Sequence, residues 1–219
     1  MKVDRKSMIL YAVTDRAWLG DNGLETQVEA AIKGGCTFIQ LREKYLKYND
    51  FLESAKKIKV VTDRYQIPFV INDNVEIAAS VDADGVHIGQ EDEKLANARS
   101  VLGPNKIIGV SVHNLEEAMK AEEGGANYIG VGSVFSTTTK KDIKRLTPDT
   151  LKEISNTVNI PVVAIGGITK DNILQLSGSG VDGVAVISAL FAKTDITEAA
   201  RKLYILSNIM VQSERNGFI

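Results

Sequence analysis

The sequence predicts an α/β fold in which eight parallel strands close into one (β/α)8 TIM barrel, with residues 1–219 forming a single domain. Three observations carry the prediction. Short β-rich runs alternate with longer segments of helical spacing from one end of the chain to the other. A weak internal repeat, "GGCTFI", "VDADGVHI", "GGANYIGV" and "GVDGVAVI", sets glycine or a small polar residue just before strands two, four, six and eight. The 219 residues suit one sizeable core. An open doubly wound sheet is the alternative, but no GxGxxG follows the first strand.

Taken in order, the strands are "MILYAVTD", "FIQLRE", "PFVIND", "GVHIG", "IIGVSV", "YIGVGSV", "PVVAIGG" and "GVAVIS". Helical spacing lies between them over Leu24–Lys33, Asp50–Tyr65, Val75–Ser80, Lys94–Leu102, Leu115–Glu123, Pro148–Thr157 and Asp171–Ser177. Glycine at the repeat positions suits helix C-termini, where a left-handed residue carries no penalty without a Cβ. After Ala200 the tail begins apolar, as a packed helix would, and ends polar.

Composition narrows the function classes. Hydrophobic residues make up 44% and charged ones 25%, values typical of soluble globular chains. A net charge of -2 argues against a large nucleic-acid footprint. No run approaches the ~20 apolar residues of a membrane span, and Met8–Val13 is too short for a signal-peptide core. The single cysteine, Cys36, makes no intramolecular disulfide, which fits a reducing cytoplasm. Cys36 precedes a strand at the end opposite the expected mouth and reads as packing.

In such barrels the working face is built from the C-terminal strand ends. Strand parity sets Gln40, Arg42 and Lys44 on one side of strand two and Leu41 on the other. With Leu41 packed against the outer helices, the polar three point into the barrel toward its mouth; a frayed strand end whose charged residues reach solvent is the alternative. Asn72 and Asp73 end strand three, and Asp92 follows strand four. Carboxylates from neighbouring strand ends suit Mg²⁺, which takes oxygen ligands and keeps waters for a substrate phosphate. Asp73 alone reads equally as a helix cap, and Asp92 as a turn residue.

Parity sets Gly109, Ser111 and His113 opposite Ile108, Val110 and Val112 in strand five, and Gly130 and Gly132 opposite Ile129 and Val131 in strand six. In strand seven it sets Ala164 and Gly166 opposite Val163 and Ile165. With the bulky sets outward, three adjacent strands leave space for a ligand; tight packing around large side chains from elsewhere in the barrel is the alternative. His113 and, more so, His87 read as structural hydrogen-bonded residues. The loop "GVGSVFSTTTKKD" breaks from an apolar run into Thr137, Thr138, Thr139, Lys140 and Lys141. "AIGGIT" offers glycine N–H groups to an anion at the strand-seven loop, a recurrent phosphate site in these barrels.

The motifs "YAVTD", "QLREK", "FVINDNVEIA", "DGVHIGQED", "IIGVSVHN", "YIGVGSVFSTTTKKD" and "VVAIGGIT" stand in an order and spacing that resembles the thiamine-phosphate synthase family over nearly the whole chain. The resemblance implies a Mg²⁺-dependent transferase that joins a hydroxymethylpyrimidine diphosphate to a thiazole phosphate, or its carboxylated form, and releases pyrophosphate by dissociative substitution. It implies that Gln40, Arg42, Lys44, Asn72, Ser111 and Lys140 contact the pyrimidine diphosphate, with Lys140, Ser111 and Arg42 as catalytic residues. Asp73 and Asp92 would hold Mg²⁺. Thr137, Thr138, Thr139, Gly167 and the backbone around Ile187 and Ser188 would hold the thiazole phosphate. The family commonly has proline where this chain has Ser133 and Ser136, which predicts a less stiff loop and a less preorganised thiazole phosphate site. Two alternatives share the barrel: a thiazole tautomerase, which needs an acid/base residue but no diphosphate site, and a non-catalytic binder of phosphorylated ligands.

Overall fold

A computed structural model of the chain describes residues 3–19, 23–89, 95–136 and 146–215. The strands are β1 (Leu10–Val13), β2 (Phe38–Leu41), β3 (Phe69–Asn72), β4 (Gly85–Ile88), β5 (Ile107–Val112), β6 (Tyr128–Gly132), β7 (Val162–Ile165) and β8 (Gly183–Val186). They pair in parallel in sequence order, and β8 returns to β1 through Leu10–Val184, Tyr11–Ala185 and Ala12–Val186, so the expected barrel is closed. Helices α1 (Leu24–Lys33), α2 (Tyr48–Tyr65), α3 (Val75–Ser80), α4 (Leu95–Leu102), α5 (Leu115–Glu123) and α6 (Pro148–Thr157) follow the first six strands. Then come α7 (Ser188–Phe191) and α8 (Ile196–Arg215).

Two helical segments differ from expectation. Helix α2 starts earlier, where the Phe51 N–H donates to Lys47 O at 3.0 Å. The segment after β7 forms only a 3₁₀ turn, Ile173–Leu176, because Ser177 turns extended and Gly178 and Gly180 follow with left-handed φ of 83° and 79°. The C-terminal tail packs as α8: Ala200, Leu203, Ser207, Met210 and Val211 fall on one buried stripe at helical spacing.

The internal repeat has two physical causes. First, α1 and α5 stop in left-handed glycines, Gly35 (φ 113°) and Gly125 (φ 88°), which let the next N–H groups, Cys36 and Ala126, bond back to Ala31 O and Ala121 O at 3.0 and 2.9 Å. Asp82 (φ 52°) takes the same role after α3. Second, a polar side chain just before each even strand accepts from the first N–H groups of the odd strand beside it. Thr37 Oγ1 accepts from Leu10 (3.0 Å), Asp84 Oδ2 from Phe69 (2.8 Å), Asn127 Oδ1 from Ile108 (2.7 Å) and Asp182 Oδ2 from Val162 (2.9 Å). These bonds satisfy donors at the barrel's closed end that burial would otherwise leave orphaned.

Both faces of the barrel wall are buried, as parallel sheets require. Leu10, Ile39, Ile71, Val86, Ile108, Ile129, Ala164 and Val184 face the helices, while Tyr11, Val13, Phe38, Val70, Ile107, Tyr128, Val163 and Ala185 fill the interior. Strand parity is therefore as expected in β2, β5 and β6 and reversed in β7, where Val163 and Ile165 point inward and Ala164 outward. A strand buried on both faces carries no polar contrast to mark its inner side.

Cys36 lies in the outer core, and burial pushes its thiol well above its ordinary value near 9. A thiol whose folded pKa is raised supplies stability in full below the unfolded pKa and loses it as pH rises above that value, at about 1.4 kcal/mol per pH unit. From pH 9 to 10 the protein is expected to lose about 1 kcal/mol from this group, read as a falling urea midpoint. A Cys36→Ala variant should be flatter over the same window; parallel curves for the two proteins would contradict the assignment.

Candidate active site

The aromatic rings plug the barrel interior. Tyr11 packs 4.6 Å from Phe38, and Tyr128 stands 5.9 Å from Tyr11 and 5.6 Å from Phe38, measured between ring centroids. Room for Tyr128 comes from Gly109, where a Cβ would stand 2.1 Å from the ring's Cζ; at Gly130 a Cβ would stand 3.3 Å from His87 Cε1. The small inward residues of β5 and β6 thus partly accommodate large side chains of the barrel itself, and the open space lies above them.

That space is a cavity of about 360 Å³ at the C-terminal ends of β5 to β8. Its wall includes Ser111, Gly132, Ser133, Gly167, Ile187 and Ser188. Gly166 and Gly167 have φ of 105° and 64°, and a Cβ on them would lie 2.2 Å from Ser133 Oγ and 2.3 Å from Ser136 O. Only glycine lets the turn after β7 pass this close to the β6 loop. The Gly166 carbonyl accepts from the Phe135 N–H at 3.0 Å, and Asn172 Nδ2 donates to Gly167 O at 2.9 Å.

Across the mouth, β1 to β3 deliver charge. Strand β2 ends at Leu41, so Arg42 and Lys44 stand beyond it and diverge toward its neighbours. Arg42 approaches Asp15 at 3.5 Å, while its N–H donates to Thr14 Oγ1 at 3.0 Å. Lys44 Nζ donates to Asp73 Oδ2 at 2.6 Å, and Asn72 Nδ2 donates to the same oxygen at 2.5 Å. The Lys44–Asp73 pair is partly open to solvent, so exchanging partners there costs only about 0–1 kcal/mol. Asp73 has left-handed φ, 64°, and does not cap α3; Asn74 does, accepting from the Ile77 N–H at 2.8 Å.

Gln40 is buried below the mouth and meets Ser111 through a continuous chain of hydrogen bonds. Its Nε2 donates to Tyr11 Oη at 2.6 Å, the Tyr11 and Tyr128 hydroxyls are 2.7 Å apart, Tyr128 Oη is 2.9 Å from His87 Nδ1, and His87 Nε2 is 2.9 Å from Ser111 Oγ. Burial pushes both tyrosine pKa values well up, so their hydroxyls keep their protons. The two tyrosines were not among the expected site residues; the parity that places Gln40 inside β2 places Tyr11 inside β1 and was the available signal. His113 also lines the cavity, but it is engaged below: its backbone N–H donates to Glu117 Oε2 at 2.7 Å, and Asn114 Oδ1 caps α5 by accepting from the Glu117 N–H at 2.9 Å.

The structure therefore gathers Gln40, Arg42, Lys44, Asn72, Asp73, Ser111, Gly167, Ile187 and Ser188 at one end of the barrel. Asp92, Thr137, Thr138, Thr139 and Lys140 lie outside the described residues. Among the described residues no group of three or more His, Cys, Asp or Glu side chains surrounds a common point. The donor chemistry nevertheless fits a hard divalent cation held by one or two carboxylates, water and substrate oxygens, with Asp73 directly after β3, its N–H donating to His87 O of β4 at 2.9 Å. Of the two serine positions, Ser133 is held by contacts of its own. It is buried, its Oγ donates to Phe135 O at 2.6 Å, and its carbonyl accepts from the Leu146 N–H at 2.9 Å.

A closed parallel barrel with polar side chains converging on a cavity at its C-terminal mouth defines the class, a (β/α)8-barrel enzyme. A family model for thiamine monophosphate synthase matches residues 10–190. The chain is 49% identical over 194 residues to a thiamine-phosphate synthase of Clostridium tetani, covering 89% of this chain and 93% of that one. It is 50% identical, over the same length and shares, to that of Clostridium beijerinckii. A solved thiamine phosphate pyrophosphorylase from Pyrococcus furiosus superposes with a TM-score of 0.87 at 40% identity, covering 94% and 98% of the two chains. The chain belongs to the thiamine monophosphate synthase family, transferases of thiamine biosynthesis. Among the described residues no helix is long and apolar enough to cross a membrane.

Proposed function

We propose that this single barrel domain condenses 4-amino-2-methyl-5-hydroxymethylpyrimidine diphosphate with 4-methyl-5-(2-hydroxyethyl)thiazole phosphate, or its carboxylated form, and releases pyrophosphate. The observation that carries the reading is the two-sided mouth: cationic Arg42 and Lys44 beside Asp73 on one side, and the glycine-walled cavity of Gly166, Gly167 and Ser188 on the other. A diphosphate suits the first side and a second, phosphorylated ring the other.

In this mechanism the C–O bond between the pyrimidine CH₂ and the diphosphate breaks, and its electron pair leaves with pyrophosphate. The thiazole nitrogen then supplies the pair for the new C–N bond. The barrier is charge separation, so fixed positive charge lowers it and no protein nucleophile is needed. Arg42, Lys44, Asn72 and Lys140 bind the departing diphosphate, and Gln40 and Ser111 hold the pyrimidine. Thr137, Thr138, Thr139, Gly167 and the backbone at Ile187 and Ser188 orient the thiazole phosphate. Asp73 and Asp92 would hold Mg²⁺, which when bound would add further neutralisation of the leaving group. Substrates are small molecules in the cytoplasm, with no nucleic acid or membrane partner.

Lys140→Ala and Asp92→Ala are each expected to lose at least about a hundredfold in turnover, since one preorganised contact to developing charge contributes on the order of 3 kcal/mol. Steady-state rates with both substrates saturating provide the check. Near-normal rates in both variants would sink the reading.

A further inference from the structure

A serine hydroxyl 2.9 Å from a histidine nitrogen, with a third group on the other ring nitrogen, has the geometry of an activated nucleophile. The direction of the buried chain decides whether Ser111 is one. A carboxamide nitrogen carries only donors, so Gln40 Nε2 makes the Tyr11 oxygen an acceptor. Tyr11 Oη has hydrogen bonds to Gln40 Nε2 and Tyr128 Oη, so its single buried proton is satisfied when it goes to Tyr128, and by the same argument that of Tyr128 is satisfied at His87 Nδ1. A neutral imidazole that accepts at Nδ1 carries its proton on Nε2, which faces Ser111 Oγ. The proton thus sits on the nitrogen that a base would need empty.

We propose that Tyr11, Tyr128 and His87 are positioning residues whose one-way hydrogen-bond relay makes Ser111 an acceptor from His87, which turns the Ser111 hydroxyl proton away from His87 and orients it to donate to an acceptor atom of the pyrimidine diphosphate when that substrate binds. Ser111 is then a fixed donor and not a nucleophile. Gln40, at the other end of the relay, has its carboxamide turned by the same bonds, so the two ends present a set polarity to a ring that carries both donors and acceptors. The proposal rests on the pyrimidine half binding at this wall of the cavity, as proposed above. Tyrosine and histidine rings separated in sequence by 117 and 41 residues meet only because Gly109 leaves room between β4 and β6.

Two readouts test it on the full chain. The first is ¹⁵N NMR of the imidazoles, simple to assign because His87 and His113 are the two histidines. His87 is expected as the neutral tautomer protonated at Nε2; a proton on Nδ1, or on both nitrogens at neutral pH, overturns the relay whether or not the protein has synthase activity. The second is kinetic. Tyr128→Phe keeps the ring and removes one neutral hydrogen bond, and is expected to raise KM for the pyrimidine diphosphate about tenfold, with KM for thiazole phosphate changed less than about twofold. Tyr11→Phe should act likewise, and the double variant should be no worse than the worse single, as for residues of one chain. Unchanged pyrimidine KM, equal rises in both KM values, or additive effects would overturn the positioning role. A wild-type protein that forms no thiamine phosphate contradicts the proposed function instead, and the tautomer still decides the relay.

Discussion

Replacing Gly109 with alanine is expected to destabilise the protein more than any conservative change at the rim. The added Cβ would stand 2.1 Å from Tyr128 Cζ and 2.4 Å from its hydroxyl. Tyr128 is fully buried and cannot swing aside, because Tyr11, Phe38 and His87 pack around it. Overpacking a close-packed core costs about 1–3 kcal/mol and occasionally more, and this contact falls toward the upper end. For a chain of this size about 3 kcal/mol corresponds to a fall of roughly 6–12 °C in Tm. Adding Tyr128→Leu, which frees the space, should recover part of the loss, so the two changes should be strongly non-additive. Thermal unfolding of the three variants reads this directly. A Gly109→Ala protein as stable as wild type would mean that Tyr128 does not fill the barrel as described.

Asp73→Asn is expected to separate activity from stability. Asparagine tolerates the left-handed backbone at this position as well as aspartate does, and its side-chain oxygen still accepts from Asn72. The lost ion pair with Lys44 is partly exposed, so stability should change by less than about 1 kcal/mol. Turnover should fall by about a hundredfold or more at saturating Mg²⁺, because the charge proposed to hold the cation is gone. Denaturant midpoints alongside initial rates separate the two effects. Wild-type turnover would remove Asp73 from the proposed cation site.

Most of the barrel was legible in the sequence because each βα unit leaves a local mark. Gly35 and Gly125 mark left-handed helix ends, and Thr37, Asp84, Asn127 and Asp182 mark strand entries by bonds to an adjacent strand. Inner and outer faces were less legible. Polar Gln40 and the glycines of β5 and β6 betray their side, whereas β7 offers only apolar Val163, Ala164 and Ile165, the first two buried and the third partly so. Segment Asp171–Ser177 had helical spacing but lies before a glycine-rich stretch that cuts it to one 3₁₀ turn.

The rim residues at strand ends were legible for the same reason as the strands themselves. Gln40, Asn72 and Asp73, Ser111 and Gly167 each sit at a fixed offset from a local pattern. The relay beneath them was not. His87 reads alone as a structural histidine, and nothing local to Tyr11 or Tyr128 announces a partner more than a hundred residues away. Beyond the strand parity that sets Tyr11 inside, its trace is the absence of a side chain at Gly109, which becomes meaningful once the register places Gly109 between His87 and Tyr128.

The most direct test is to supply the pyrimidine diphosphate and the thiazole phosphate to the wild-type protein and to follow pyrophosphate and thiamine phosphate together, with Mg²⁺ and with a chelator. The expected result is both products in equal amounts with Mg²⁺ and neither with chelator. Binding of either half without product, or the same rate with chelator, would contradict a metal-assisted synthase and favour a phosphate-ligand binder, a tautomerase or a metal-independent route.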